Sequence, residues 1–231
     1  MHARDHPPAA TLQAVLFDMG DTLFERAGGS DLLVDAARAL GAEVDRARAA
    51  AIWAEVHARA RTPEELAKGR DTSPVAHRVC WTALYHPAEA LVAGLAEEMY
   101  EREVGPQYWR PFPDALPTLR ALHARGVPIG VVSDAGFDIR SFFRRHRIDG
   151  LISSFVVSCE HGVTKPAARL FELACAELGV APAATLMVGD NPVTDGGAVD
   201  AGLTCLLLPP RPPGTPPAAP RGLGQALRLV D

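Results

Sequence analysis

Apolar and polar residues recur along this chain with two different periods, and the change of period divides it into regions. Residues 12–17 (LQAVLF) form a short, mostly apolar run that is typical of a buried strand. From residue 30 to about residue 104, apolar residues recur every three or four positions, which predicts successive helices with no strand between them. Capping residues or prolines mark five helix starts, at Ser30, Asp45, Thr62, Pro74 and Pro87.

The spacing also predicts which side of these helices is buried. The expected apolar faces are Leu33, Ala37 and Leu40 in the first helix, Ile52, Val56 and Ala60 in the second, Val75, Val79 and Thr82 in the fourth, and Leu91, Leu95 and Met99 in the fifth.

From residues 111–113 (PFP) onward, strand-like and helix-like runs alternate. Helices are predicted at 113–125, 138–146, 167–179 and 195–201, and strands at 127–132, 154–157, 185–188 and 203–208. Such alternation indicates strand–helix–strand units on a parallel sheet. The predicted fold class is therefore α/β, with a Rossmann-like, doubly wound parallel sheet as the core and an all-α domain inserted after its first strand.

These patterns predict a division of the chain into segments. Residues 12–24 and 111–231 form the α/β core, residues 25–110 form the helical insertion, and residues 1–11 form a flexible N-terminal arm. Residues 209–220 hold seven prolines in twelve positions, a composition that excludes helix and central strand and favours an extended linker.

Composition and charge narrow the classes of partner. The chain has 231 residues, 48% of them hydrophobic, and a formal net charge of −5, without a basic run interleaved with aromatics. Neither a nucleic-acid partner nor a membrane segment is predicted. The four cysteines lie far apart without metal-ligand spacing, so no zinc site or disulfide framework is expected, and a cytoplasmic location is predicted.

Two acidic loops each follow a strand-like run. Asp18 follows the first strand, and Asp190 follows the strand predicted at 185–188. In an open α/β sheet, residues just beyond the carboxyl ends of the strands converge on one crevice, so these two carboxylates are expected to share a site. Neighbouring carboxylates repel each other, and a hard cation such as Mg²⁺ relieves that repulsion.

Four short motifs in chain order resemble those of the haloacid dehalogenase superfamily. They are residues 17–23 (FDMGDTL), 131–134 (VVSD), 162–166 (GVTKP) and 188–195 (VGDNPVTD), and together they span nearly the whole chain. The helical insertion after the first motif resembles the cap domain of the first subclass of that superfamily. The resemblance implies a hydrolase, most often a phosphatase that acts on a small phosphorylated metabolite as a monomer or homodimer.

The resemblance also implies residue roles. Asp18 is expected to attack phosphorus and form an aspartyl-phosphate that water later hydrolyses. Ser133 and Lys165 are expected to bind the phosphoryl group and neutralise its charge, with Thr22 and Asp134 as further substrate-binding positions. Mg²⁺ is expected to be held by Asp18, Asp190 and the main-chain carbonyl of Gly20, with Asp195 supporting the metal shell, although Asp195 also suits a plain helix N-cap.

The first motif departs from the phosphatase pattern at one position. Phosphatases of this superfamily carry a second Asp two residues after the nucleophile, which protonates the leaving group, whereas this chain has Gly20 there. General acid catalysis is commonly worth ~10²- to 10⁴-fold in rate. Asp21, one residue later, either replaces the missing acid or braces the turn.

Superfamily members without the second acid suggest two other activities. Haloacid dehalogenases need no Mg²⁺, whereas the acidic loop that ends in Asp195 is intact here. Phosphonatases use a lysine from the cap, and the only lysine of the insertion, Lys68, stands beside a predicted helix end and is expected to be solvated. A third alternative is a catalytically weak protein that binds a phosphorylated ligand.

The insertion is expected to select the substrate by closing over the crevice. One or two of its polar and aromatic residues are expected to contact substrate, and the aromatic ones are expected to lie mostly in the core of the insertion. The candidates are His57, Arg59, Arg61, Arg70, His77, His86, Trp53, Trp81 and Tyr85.

Overall fold

The structure, a computed structural model, describes residues 11–211 and 219–230. Its centre is a five-stranded parallel sheet in the order β5-β4-β1-β6-β7. Its strands are β1 (Ala14–Phe17), β4 (Ile129–Ser133), β5 (Ser154–Val157), β6 (Thr185–Gly189) and β7 (Thr204–Leu207). All four neighbouring pairs are parallel. The predicted α/β fold class is confirmed.

Successive side chains of each strand point to opposite faces of the sheet, which explains why both faces are covered. Val15 and Phe17 of β1 enter one hydrophobic cluster, and Leu16 between them enters another on the opposite face. Both clusters exclude water only if helices pack on both sides of the sheet. Helices α6 (Ala115–Ala124), α7 (Arg140–Arg145) and α10 (Ala226–Leu229) contribute to the first cluster, and α9 (Ala168–Leu178) contributes to the second.

The helical insertion has a hydrophobic cluster of its own, separate from the two around the sheet. A two-stranded antiparallel ribbon, β2 (Phe24–Arg26) and β3 (Trp109–Pro111), joins it to the core. Its helices are α1 (Asp31–Ala39), α2 (Arg46–Arg59), α3 (Pro63–Leu66), α4 (Pro74–Tyr85) and α5 (Leu95–Val104). No strand lies between α1 and α5, as the sequence predicted.

Two of the predicted helix caps are present. The side chains of Asp45 and Thr62 accept hydrogen bonds from main-chain N–H groups three residues later, and Ser73, which was not predicted as a cap, does the same for the helix that starts at Pro74. Ser30 precedes α1 but makes no side-chain cap.

Four details of the predicted helices were wrong. Leu40, expected on the apolar face of the first helix, follows the end of α1 and is 39% exposed. In α4, Val75 and Val79 are 74% and 63% exposed, and the buried face instead holds His77, Trp81, Leu84 and Tyr85. The helix predicted from Pro87 starts at Leu95, after a short 3-10 helix (His86–Ala90). The helix predicted at 195–201 is a single 3-10 turn, Gly196–Val199.

Two predicted segments fall largely outside the described residues. The N-terminal arm is described only at Thr11, and the proline-rich linker only at residues 209–211 and 219–220. Within the described chain, no helix combines the length and apolar character needed to cross a membrane.

Candidate active site

The sheet order brings the predicted motifs together at one edge. Asp18 directly follows β1, Ser133 is the last residue of β4, and Asp190 directly follows β6. Because β1 lies between β4 and β6, these three residues emerge side by side at the carboxyl ends of the strands. The carboxylates of Asp18, Asp190 and Asp195 place one oxygen each within 4.8 Å of one another. The convergence expected from the sequence is therefore present.

A buried lysine links two of these carboxylates. The Nζ atom of Lys165 donates to Oδ1 of Asp18 at 2.6 Å and to Oδ1 of Asp195 at 2.6 Å. Lys165, Asp18 and Asp195 are 4%, 8% and 1% exposed, so the three charges are largely removed from water. Charged groups are tolerated in such a position only when they are paired and hydrogen-bonded.

Asp195 organises the loop that carries Asp190. Its Oδ2 atom accepts hydrogen bonds from the main-chain N–H groups of Asp190 and Asn191, both at 3.0 Å. Asp195 stands at the N-cap position of the 3-10 turn Gly196–Val199, as the alternative expected, but its side chain makes no capping hydrogen bond there. Gly189 makes this arrangement sterically feasible, because a Cβ atom there would lie 2.2 Å from Oδ2 of Asp195.

A test of this arrangement is the Gly189→Ala variant. The added methyl group must displace the Asp195 carboxylate, so we expect a loss of stability of ~1–3 kcal/mol and a parallel loss of any activity that depends on Asp190. Gly196→Ala is the matched control, since a Cβ atom there meets nothing within 4 Å. Urea unfolding of both variants measures the difference, and equal stabilities would contradict the packing argument.

Burial dominates the electrostatics of the cluster. It raises the pKa of Asp18 to about 8, against the opposing effect of the Lys165 ammonium and with further repulsion from Asp195 and Asp190. Burial alone would lower the pKa of Lys165, but the surrounding carboxylates outweigh it and hold that pKa above its ordinary value. Burial, followed by the carboxylates of Asp21 and Asp195, raises the pKa of Asp190 to about 6.

These side chains fit a hard divalent cation. Carboxylate oxygens are the ligands that Mg²⁺ prefers, and repulsion among Asp18, Asp190 and Asp195 is what such a cation would relieve. Both oxygens of Asp195 already accept hydrogen bonds, whereas Oδ2 of Asp18 has no hydrogen-bond partner within residues 11–211 and 219–230. Asp18 and Asp190 are thus better placed than Asp195 to contact a metal directly.

Two residues assigned to substrate binding contact other site residues. The Thr22 hydroxyl is fully buried and donates to Oδ1 of Asp190 at 3.5 Å. Oδ1 of Asp134 accepts a hydrogen bond from the main-chain N–H of Lys165 at 2.9 Å. Both contacts orient the side chains around Asp18.

The turn after Asp18 leaves the position of the second acid open. A Cβ atom added at Gly20 would lie 3.9 Å from the Trp109 ring, in ordinary van der Waals contact. Asp21 is exposed, has a left-handed φ of 55°, and donates its main-chain N–H to the carbonyl of Phe24. Its side chain accepts no hydrogen bond within the part of the chain described, so the proposed bracing of the turn by its carboxylate is not seen.

The insertion and the core enclose a cleft of about 1180 Å³ above Asp18. Of the nine candidate residues of the insertion, Arg61, Arg70, His77 and Trp81 line it. Tyr85 is fully buried in the core of the insertion, and His86 is exposed. Lys68 pairs with Glu65 at 2.7 Å and is exposed, as expected from the sequence.

Several cleft residues were missed by the sequence analysis, namely Arg26, Asp71, Glu103 and Trp109. Arg26 forms an ion pair with Glu103, and its guanidinium lies 5.0 Å from the Trp109 ring centroid. Asp71 stands in a polar connection between two predicted helices, which is the only signal in the sequence that could have singled it out.

Comparisons with known proteins agree with this geometry. A family model described as haloacid dehalogenase-like hydrolase matches residues 12–202. A glyceraldehyde 3-phosphate phosphatase from Methanothermobacter thermautotrophicus is 30% identical over 201 residues, covering 85% of each chain. A phosphoserine phosphatase from Thermus thermophilus is 30% identical over 214 residues, covering 80% of this chain and 83% of that protein.

Among solved structures, a haloacid dehalogenase-superfamily phosphatase from Thermococcus onnurineus superimposes with a TM-score of 0.61. It is 20% identical, and the match covers 95% of this chain and 99% of the other, which supports the fold alone. Four motifs, one convergent site and a family match over most of the chain lead to one assignment. The chain belongs to the haloacid dehalogenase-like hydrolase family.

Proposed function

We propose that this hydrolase is a Mg²⁺-dependent phosphatase that acts on a small phosphorylated metabolite through an aspartyl-phosphate intermediate. The observation that carries the proposal is the Asp18 carboxylate, which stands at a strand end against the Lys165 ammonium and beside Asp190 and Asp195. That set supplies a nucleophile, a positive charge and a metal site within one cleft. The two phosphatases that are 30% identical to this chain support the same chemistry.

Each of these residues has its own role in the proposed reaction. A carboxylate oxygen of Asp18 attacks phosphorus, a new O–P bond forms, and the ester P–O bond breaks. Lys165 neutralises negative charge on the phosphoryl oxygens, and the Ser133 hydroxyl, at the end of β4, is placed to donate to one of them. Water then attacks phosphorus and releases phosphate and the free Asp18 carboxylate. When bound by Asp18, Asp190 and the Gly20 carbonyl, Mg²⁺ supplies further charge neutralisation at the phosphoryl group.

The direct test is phosphate release from a panel of phosphomonoesters, with Mg²⁺ and with EDTA. The panel combines aryl esters such as nitrophenyl phosphate with alkyl esters such as sugar and glycerol phosphates. We expect turnover with Mg²⁺ and background rates in EDTA. If the protein instead removes halide from 2-haloacids, at the same rate in EDTA as with Mg²⁺, the dehalogenase alternative is established.

A second candidate function follows from Gly20, which removes the usual acid from the first motif. It is a protein that binds a phosphorylated ligand and turns it over very slowly. Saturable binding of a ligand from the panel, without phosphate release from any ester, would favour this candidate.

The Gly20→Asp variant tests what the missing acid costs. The position has room for a side chain and does not have a left-handed φ, so we expect the variant to fold normally. An acid at this point can protonate a poor leaving group, and where no other side chain supplies that proton the ratio of alkyl-ester to aryl-ester turnover should rise by up to ~10²-fold. Asp21→Asn is measured beside it, and a lower ratio in that variant would assign acid catalysis to Asp21. An unchanged ratio in Gly20→Asp would show that proton transfer does not limit the rate or that another side chain of the cleft already supplies the proton.

A further inference from the structure

The proposed phosphatase reaction needs a proton donor that the first motif lacks. An alkoxide leaving group must be protonated as it departs, and general acid help is commonly worth ~10²- to 10⁴-fold. Gly20 offers no side chain, and Asp21, although it lines the cleft, is exposed on the turn. A donor for this reaction can also come from the opposite wall, which the insertion provides.

Asp71 is a carboxyl group on that wall. It lies in a 3-10 helix (Arg70–Thr72) between α3 and α4 and lines the same cleft as Asp18, Ser133 and Lys165. Its side chain is 18% exposed, so it is largely shielded from solvent and still reachable from the cleft. Oδ2 lies 3.3 Å from Nε of Arg70, and Oδ1 lies 3.7 Å from Nε2 of His77. Arg70 donates a hydrogen bond to one oxygen of this carboxyl group, and the His77 ring lies near the other.

The segment that carries Asp71 is seated directly on the core. The Ser158 hydroxyl, at the start of α8 (Ser158–His161), donates to the main-chain carbonyl of Asp71 at 2.5 Å. Next to it, a Cβ atom at Gly136 would lie 2.1 Å from Cβ of His77, so the two surfaces meet there without a gap. The His77 ring also packs edge-on against Phe137, with ring centroids 5.1 Å apart. These contacts place Asp71 relative to the loop that follows Ser133.

The charges around Asp71 suit proton transfer near neutral pH. Burial raises the pKa of Asp71 to about 6, against the opposing effect of Arg70 and with added repulsion from Asp134 and Glu103. Burial, Arg70 and Arg26 lower the pKa of His77 to about 3, so this imidazole is neutral at pH 7. The titratable groups that face Asp71 from the packed elements are Arg70, His77, Glu103, Asp134 and Cys159.

We propose that Asp71, carried into the cleft by the helical insertion, is the general acid and base that replaces the acid missing at Gly20. In the first step, Asp18 attacks phosphorus, the ester P–O bond breaks, and the leaving oxygen takes the proton of the Asp71 carboxyl. In the second step, the Asp71 carboxylate takes a proton from the attacking water, the new O–P bond forms, and the bond between phosphorus and Asp18 breaks. The sum is one ester and one water converted to one alcohol and one phosphate, with Asp71 protonated again.

The test compares alkyl and aryl phosphate esters in the Asp71→Asn variant, in the full chain and with Mg²⁺. An aryl ester departs as a stabilised phenolate and needs little help from an acid, whereas an alkyl ester needs the proton. We expect the ratio of alkyl-ester to aryl-ester turnover to fall by ~10²-fold or more. In the wild-type protein the same ratio should decline as the pH rises through about 6, since Asp71 loses its proton there. Glu64→Gln is the matched control, because Glu64 is an exposed carboxylate of the same insertion.

A rescue experiment separates acid catalysis from a structural role. Gly20→Asp in the Asp71→Asn background places an acid at the position of the first motif that lacks one, and we expect it to restore the alkyl-to-aryl ratio. A variant that has merely lost the arrangement of Arg70 and His77 would not recover in this way.

Each outcome bears on one proposal. The role of Asp71 is overturned if the ratio of alkyl-ester to aryl-ester turnover is unchanged in Asp71→Asn, or if it falls in Asp21→Asn instead. Either result leaves the phosphatase assignment intact. Equal losses on both ester classes, without rescue, show that Asp71 only positions its neighbours and overturn it as well. If the wild-type protein hydrolyses neither class, the proposed function itself fails and the role of Asp71 fails with it.

Discussion

The Asp18→Asn variant is expected to lose phosphatase activity by ~10⁴-fold or more, because an amide cannot form the aspartyl-phosphate. Steady-state turnover of nitrophenyl phosphate measures the loss, since this substrate needs little acid catalysis and reports directly on the nucleophile. Asp149→Asn, which changes an exposed carboxylate at the edge of the core, serves as the control. Undiminished turnover in Asp18→Asn would exclude the covalent mechanism.

The same variant is expected to keep its fold. Burial raises the pKa of Asp18 from 3.8 to about 8, so the folded metal-free protein binds a proton there more tightly than the unfolded chain does. The contribution of this group to stability is therefore present below pH 3.8 and declines as the pH rises toward 8. Removing the charge should leave the thermal midpoint in EDTA at pH 8 equal to or above that of the wild type. A large fall in that midpoint would attribute the loss of activity to unfolding.

Asp190→Ala is expected to remove the dependence on Mg²⁺ together with the activity. Asp190 is one of three carboxylates whose oxygens lie within 4.8 Å of one another, and unlike Asp195 it has a carboxylate that is not fully engaged by other groups. Loss of one of the few protein ligands of a Mg²⁺ ion should raise the concentration needed for half-maximal activity by ~10²-fold or abolish activity.

A binding measurement without turnover checks the metal site independently. Mg²⁺ at ~100 times its dissociation constant should stabilise the wild-type protein by ~2.7 kcal/mol, and thermal unfolding with and without the ion detects this shift. Asp190→Ala should show no shift, whereas Asp200→Ala, which changes an exposed carboxylate in the same region, should shift like the wild type. Equal shifts in all three proteins would place the ion elsewhere.

Much of the core could be predicted because strand signals are local. A buried parallel strand needs apolar residues on both faces, and Val15, Leu16 and Phe17 satisfy this by themselves. Because loops at the carboxyl ends of parallel strands converge, the sequence also predicted that Asp18 lies beside Asp190. Their carboxylate oxygens are indeed within 4.8 Å of each other. The four ordered motifs also predicted the family, and the family match over residues 12–202 confirms that prediction.

Other features are decided by contacts that no local pattern contains. The period of α4 predicts that one face is buried but not which one, and the neighbouring insertion helices and the core selected His77 and Trp81 over Val75 and Val79. Asp195 pairs with Lys165, which is 30 positions away and becomes its neighbour only after folding, whereas its bonds to the main chain of Asp190 and Asn191 are local.

The amino-acid sequence by itself thus determined the sheet, the helical insertion and the chemistry gathered at the strand ends, since each depends on residue types and short spacings. Only the tertiary structure decided which residues of the insertion line the cleft together with Asp18. Asp71 is placed there by a hydrogen bond from Ser158, 87 positions away, and by the close approach of His77 to Gly136. Contacts over such separations depend on how two independently packed units meet, and the pattern of a single segment carries no record of that.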